Sequence, residues 1–113
     1  MKKYEIIAVD FDGTLCSDCY PDIGKPNLPL IELLKALKRE GCRIILWTCR
    51  CGRKLEQAVQ WGEEFGLEFD KVNRNTDEIL EKYGSDSRKI YADVYIDDKA
   101  CFPWEVMAYK KEE

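Results

Sequence analysis

The 113-residue chain contains no histidine. Ser-His-Asp and Cys-His catalysis are thereby excluded, together with the commonest side-chain ligand of transition metals. Its chemistry has to run on carboxylates, lysine and arginine, hydroxyls, thiols or a hard metal ion. Long apolar runs are missing too, since none approaches the roughly 18 residues of a membrane-spanning helix. Met1-Lys2-Lys3-Tyr4-Glu5 leads directly into a strand-like run rather than into the apolar core of a signal peptide. The expected location is therefore the cytoplasm, with no membrane partner. Nor is there an excess of positive charge: 18 Lys and Arg against 22 Asp and Glu leave a formal net charge of −4. No global field draws in nucleic acid, although a local phosphate site is compatible with that balance.

The length is that of a single domain spanning residues 1–113. A 45% hydrophobic and 35% charged composition is that of an ordinary globular protein. Tyr4-Glu5-Ile6-Ile7-Ala8-Val9-Asp10 reads as a buried parallel strand ending in an acid. Residues from Cys16 to Pro29 hold three prolines and a glycine and read as a loop with little regular structure. From Asn27, a potential cap, Leu30, Ile31, Leu33, Leu34 and Leu37 recur at helical spacing until Gly41. Arg43-Ile44-Ile45-Leu46-Trp47-Thr48 is a second buried strand. A second helix is expected from near Arg53 to Phe65, with Leu55, Ala58, Val59 and Trp61 inward. A short strand at Lys71-Val72-Asn73, a helix from Thr76 to Tyr83 ended by Gly84, and a last strand at Asp93-Val94-Tyr95-Ile96-Asp97-Asp98 complete the series. Apolar strands alternating with amphipathic helices imply an α/β fold, a Rossmann-like three-layer sandwich around a parallel sheet, because parallel strands need crossovers. Ligands in such folds bind beyond the carboxyl ends of the strands. Asp10, Thr48 and Asp97 all fall at strand ends of that kind.

Asp10 closes a strand and Asp12 opens a turn, so both can reach one crevice, and Asp97 and Asp98 end a strand that the sheet can bring alongside. Carboxylates that converge repel one another unless something positive sits between them. A hard cation with oxygen ligands, most naturally Mg²⁺, resolves that repulsion. Alone, an Asp-x-Asp at a strand end is as readily a solvated loop. Thr48, followed by Cys49-Arg50-Cys51-Gly52, combines a hydroxyl, free amides and a helix start into an anion-binding position, or serves only to cap the helix. Lys89, shortly before the last strand, is a candidate cation for a phosphate, or else a solvated surface charge. Arg88 and Lys82 are alternatives for the same role.

Six cysteines is a high count for a cytosolic chain of this size. Cys16, Cys19, Cys49 and Cys51 all follow strand ends, and two close pairs invite a four-thiolate zinc site. The Cys49-x-Cys51 spacing is tight for zinc, and incidental reduced thiols are the simpler reading. Cys42 reads as a small core hydrophobe. Tyr20, Phe102 and Trp104 are suited to stacking on a substrate base or sugar, and equally to packing or a subunit contact. The terminal acids Glu112 and Glu113 read as solvated surface.

Val9-Asp10-Phe11-Asp12-Gly13-Thr14-Leu15 resembles the first motif of the haloacid dehalogenase (HAD) superfamily. Leu46-Trp47-Thr48 is similar to its second motif, Lys89 fits its third, and Tyr95-Ile96-Asp97-Asp98 is similar to its fourth. The resemblance implies a Mg²⁺-dependent phosphohydrolase with a HAD-like fold. Asp10 would attack phosphorus to form an aspartyl-phosphate, and Asp12 would protonate the leaving oxygen and then activate water. Thr48 and Lys89 would hold phosphoryl oxygens. Mg²⁺ would be bound by Asp10, the Asp12 backbone carbonyl and Asp97, with Asp98 close by. An acid at position 12 resembles the phosphatase and phosphomutase branches. The segment after the first motif is too short for a cap domain, so the resemblance is to a capless member. An open site suits a bulky phosphorylated substrate, such as a polymer end, a nucleotide or a protein, or a small one with a neighbouring subunit of a homo-oligomer as lid. The rival readings are a catalytically weak regulatory or binding protein on the same fold, a phosphomutase, and a phosphoacceptor signalling domain. The last expects its acceptor Asp after a middle strand, where this chain has Thr48.

Overall fold

Strand β1 (Ile6–Val9) is buried along its whole length, as the central strand of a parallel sheet must be. In the computed structural model, which describes residues 4–100 and Glu105, β1 pairs with β2 (Arg43–Leu46) on one side and β4 (Val94–Ile96) on the other. Strand β3 (Lys71–Val72) adds to β2, giving the all-parallel order β3-β2-β1-β4. Cys101, Phe102, Trp104 and the terminal acids lie outside the described residues.

Parallel neighbours require crossovers, and α1 (Leu28–Arg39), α2 (Gly52–Glu64) and α3 (Asp77–Tyr83) provide them. Asn27 caps α1: its Oδ1 accepts from the Leu30 N–H, and Pro29 occupies the first turn, where its missing N–H costs nothing. Helix α2 lies one residue earlier at each end than the periodicity suggests, with Phe65 as its cap. Gly84 ends α3 in the left-handed region at φ 75° and donates to the Leu80 carbonyl.

The pleat of the sheet sorts the core into two clusters. Ile7 and Val9 of β1 and Ile44 and Leu46 of β2 face one way, against Ile31 and Leu34 of α1 and Ala58 of α2. Ile6, Ala8 and Ile45 face the other way, against Ile90 and Ala92, with Ile79 of α3, Trp47 and Tyr95 packed alongside. The result is a Rossmann-like three-layer α/β sandwich, as the alternation of elements implies. Among the described residues no helix is long and apolar enough to cross a membrane.

The loop expected from Cys16 to Pro29 is more ordered than its composition suggests. Cys16 bridges to Asp12 and to Pro26. The Ser17 N–H donates to the Lys25 carbonyl at 2.9 Å, and the Lys25 N–H to Ser17 Oγ at 2.8 Å. Gly24 allows that fold-back, because a Cβ there would stand 2.2 Å from the Ser17 carbonyl oxygen. The segment is a narrow flap held by short-range bonds, which leave no periodicity in the sequence.

Asp10, Trp47 and Asn73 each donate a backbone N–H to a neighbouring strand, to Ile96, Val9 and Leu46 at 2.9, 2.9 and 2.8 Å. The carboxyl ends of all four strands are thereby laced into one rim. At β1 the chain order switches direction across the sheet, which opens a crevice between β1 and its neighbours.

Candidate active site

Asp10 is the first residue beyond β1, and its Oδ1 accepts the N–H of Phe11 at 2.7 Å. One carboxylate oxygen is fixed by the backbone, and the other is available for chemistry. Burial pushes the Asp10 carboxyl up to about 6 from 3.8; the Phe11 N–H opposes this, while Asp97, Asp98 and Asp12 add to it. Asp97 follows β4 across the crevice. Its Oδ1 accepts the Lys99 N–H at 3.1 Å, which turns the chain at the rim.

Asp98 is seated by two residues of the turn after β1. Its N–H donates to Thr14 Oγ1 at 3.2 Å. Its carboxylate fills the space beside Gly13, where a Cβ would come 2.3 Å from Oδ2. Gly13 has φ +82° and leaves room that no other residue could. Asp10, Asp97 and Asp98 each bring one carboxylate oxygen within 4.8 Å of the others. Three hard oxygen donors in that volume, one of them with a raised affinity for a proton, fit a divalent cation of the Mg²⁺ type.

Asp12 lies beside this cluster, and both its oxygens are engaged by Arg50. Nε donates to Oδ2 at 2.8 Å and Nη2 to Oδ1 at 2.7 Å, a bidentate, charge-assisted pair. Arg50 is only 2% exposed, and the hydrogen bond to Asp12 pushes its guanidinium pKa up against the opposing effect of burial.

Thr48 stands two residues beyond β2. Its N–H donates to Asn73 Oδ1 at 2.8 Å, and its Oγ1 accepts the Arg50 N–H at 3.2 Å. A hydroxyl that accepts from the backbone keeps its own proton for a ligand oxygen. Asp10, Asp12, Thr48, Arg50 and Asp97 line one cleft of about 360 Å³, with Cys49, Lys99 and the flap residues Asp18 and Tyr20 completing its wall.

The structure does not bring Lys89 to this cleft. Ile90 and Ala92 point into the second core cluster, and the alternation turns Lys89 outward, into a separate cavity with Ile79, Tyr83 and Tyr91. Arg88 is exposed, and Lys82 is exposed with its ammonium over the Tyr83 ring. The cations that line the Asp10 cleft are Arg50 and Lys99, neither of which the sequence singles out. Lys99 lies beside Asp98 at 3.5 Å with 77% of its side chain exposed. Its signal was its position directly after Asp97-Asp98; Arg50's only signal was its place two residues after Thr48.

The four thiols considered for zinc do not converge. Cys16 is buried and directs its Sγ to the Phe11 carbonyl, while Cys19, Cys49 and Cys51 are exposed. Among the described residues the ligand cluster is the Asp10, Asp97 and Asp98 set, with no thiol in it. Cys42 is buried as expected, with its Sγ 2.8 Å from the Tyr4 carbonyl. Tyr20 is 56% exposed at the cleft wall.

No family model matches the chain, and no curated protein does. A solved structure of a conserved protein coded by a locus from Bacteroides thetaiotaomicron is 39% identical to it. The match covers 96% of this chain and 91% of the other, with a TM-score of 0.75.

Proposed function

The chain belongs to the family of that conserved Bacteroides thetaiotaomicron protein, and we propose that it is a Mg²⁺-dependent phosphohydrolase of the haloacid dehalogenase superfamily without a cap domain. The observation that carries the reading is the convergence of Asp10, Asp97 and Asp98 at the sheet's carboxyl rim, with Asp12 and Thr48 lining the same cleft. The sequence around Asp10, Thr48 and Asp97 resembles the superfamily's motifs in the same order.

Asp10, Asp97 and Asp98 would hold the cation, with the Asp12 backbone carbonyl as the further ligand that the resemblance implies. A bound Mg²⁺ would supply neutralisation of the charge that develops on the phosphoryl oxygens. The free oxygen of Asp10 attacks phosphorus, the ester P–O bond breaks, and an aspartyl-phosphate forms. Each oxygen of Asp12 accepts one N–H of Arg50, and Asp12 takes up a proton from solvent on a lone pair that Arg50 leaves free. It gives that proton to the departing oxygen, then takes one from the water that cleaves the acyl-phosphate and regenerates Asp10. Thr48 donates its hydroxyl proton to a phosphoryl oxygen. Lys99 lines the cleft and Lys89 does not, so the phosphate-neutralising role passes to Lys99.

The substrate is a phosphomonoester whose leaving group extends past Tyr20 and Asp18. The flap is the cleft's cover among the described residues, which suits a bulky phosphoester, or a small one lidded by a second copy of the chain.

The test is inorganic phosphate release from a panel of sugar, nucleotide, protein and polynucleotide phosphoesters, with Mg²⁺ and then with EDTA. The expected result is release that EDTA abolishes, and an Asp10→Asn variant that stays folded and loses turnover by about 10³-fold or more. Full turnover by Asp10→Asn would overturn the nucleophile assignment. Failure to release phosphate from any ester would remove the enzymatic reading.

A further inference from the structure

Arg50 makes more contacts than its bond to Asp12 requires. Nη2 also donates to the Asp22 carbonyl at 3.0 Å, and Nη1 to the Pro21 carbonyl at 3.4 Å. Its guanidinium lies over two rings, Phe11 at 5.0 Å and Tyr20 at 5.1 Å. The plane thus rests on the buried Phe11 ring and the flap's Tyr20, and its edge reaches both Asp12 and the flap backbone. The flap's own bonds, Ser17 to Lys25 and Asp22 to the Cys19 carbonyl, hold it to itself. Ile23 packs its tip against the core, and Arg50 ties the tip's carbonyls to the Asp12 carboxylate.

We propose that Arg50 is a positioning residue that joins the flap tip and the Asp12 carboxylate into one unit, so that the flap cannot lift without releasing the aim of Asp12. The part concerning turnover rests on the phosphohydrolase reading; the part concerning the flap does not. Arg50 sits too deep, and is too fully engaged, to serve as a phosphate ligand. Its planar fork is what allows two parallel bonds to Asp12 while the remaining N–H groups reach two carbonyls. A lysine keeps the charge and cannot reproduce that geometry.

The consequence separates Arg50 from an ordinary buried ion pair. The Asp12 side chain has its bonds to Arg50 and not to the flap tip, yet altering it should loosen the tip through Arg50. Loss of the anchor on the Asp22 carbonyl loosens the turn that the Asp22 N–H closes onto the Cys19 carbonyl. Hydrogen exchange at Asp22 therefore reports it, with Ser17 and Lys25, bonded at the base of the flap, as internal references. Wild type, Arg50→Lys, Asp12→Asn and the double variant form a cycle. Each single change should speed Asp22 exchange by about tenfold or more, the size expected for losing charge-assisted hydrogen bonds. The double variant should be no faster than the faster single. Multiplying effects, or wild-type flap exchange in Asp12→Asn, would overturn the coupling. Should Arg50→Lys not fold, Asp12→Asn alone still decides by that second outcome.

Kinetics then test the aim of Asp12. p-Nitrophenyl phosphate expels a leaving group that needs no proton, whereas glycerol phosphate expels an alkoxide that does. Arg50→Lys should lower kcat on glycerol phosphate at least about tenfold more than on p-nitrophenyl phosphate. Equal losses on the two esters would show that Arg50 only holds the fold. If wild type turns over neither ester, the phosphohydrolase reading fails, and the exchange cycle still decides whether Arg50 couples flap and carboxylate.

Discussion

Gly13 shows how a single residue sets the carboxylate cluster of Asp10, Asp97 and Asp98. Its φ of +82° and the 2.3 Å approach that a Cβ would make to Asp98 mean that the turn after β1 and the end of β4 share one volume. Gly13→Ala should cost roughly 1–2 kcal/mol in backbone strain and push Asp98 away from Asp10 and Asp97. We expect Mg²⁺ affinity to fall by about tenfold, as for other changes that displace the groups behind a metal site. Titration calorimetry checks this, and unchanged affinity would remove Asp98 from the ion's surroundings. At this scale the sequence was readable where a residue's place follows from a strand end: Asp10, Thr48 and Asp97 line one cleft, with Asp12 in the turn beside them. Arg50 was not, because its role depends on burial and on a carboxylate 38 positions away. Nothing local distinguishes a buried arginine from a solvated one.

Between elements, the connection from α3 to β4 illustrates what periodicity misses. The strands and helices could be placed from their apolar repeats, with one-residue shifts at α2 and with strands that stop one to two residues short of the expected ends, before Asp10, Trp47 and Asp97. The stretch from Ser85 to Ala92 has no regular structure to read, and it decides where Lys89 goes. It is organised by Asn75, a side chain with no solvent exposure. Asn75 Nδ2 donates to Asp86 Oδ1 at 2.9 Å, and Asn75 Oδ1 accepts the Tyr91 N–H at 2.6 Å. One amide therefore pins both ends of the connection and, through it, the alternation that seats Ile90 and Ala92 in the core. Asn75→Ala strands the Tyr91 N–H, while the exposed Asp86 carboxylate keeps the Asn75 backbone N–H at 3.3 Å, so it should lower unfolding stability by about 1–3 kcal/mol. Urea denaturation measures it. A loss under about 0.5 kcal/mol, the size of an ordinary surface change, would mean that the connection is held elsewhere.

For the molecule as a whole, the acidic rim makes stability depend on what neutralises it. Asp10 holds a proton more tightly when folded, near 6, than at its ordinary value of 3.8. A raised carboxyl contributes stability that is fully present below the lower value and is lost as pH rises through the higher one. Without metal, the protein should therefore lose part of its stability between about pH 4 and pH 6, where Asp10 releases its proton beside Asp97 and Asp98. On the proposed metal reading a cation takes over from that proton, so the rise in Tm on adding Mg²⁺ should be larger at about pH 7.5 than at about pH 5. A rise of equal size at both would show that the ion binds away from Asp10.

The Asp93 carboxylate accepts the N–H groups of Glu5 and Ile6, 88 and 87 positions away, at 2.8 Å each. That clasp joins β4 to β1 at the amino end of the sheet, opposite the rim. During synthesis β1 emerges early and waits, its edge unfilled, until nearly ninety further residues have left the ribosome. Asp10 has Asp12 beside it in that interval but neither Asp97 nor Asp98, so a nascent or prematurely terminated chain holds only part of the carboxylate cluster. The same closure that ends the risk of β1 pairing with another chain also completes the carboxylate cluster of Asp10, Asp97 and Asp98.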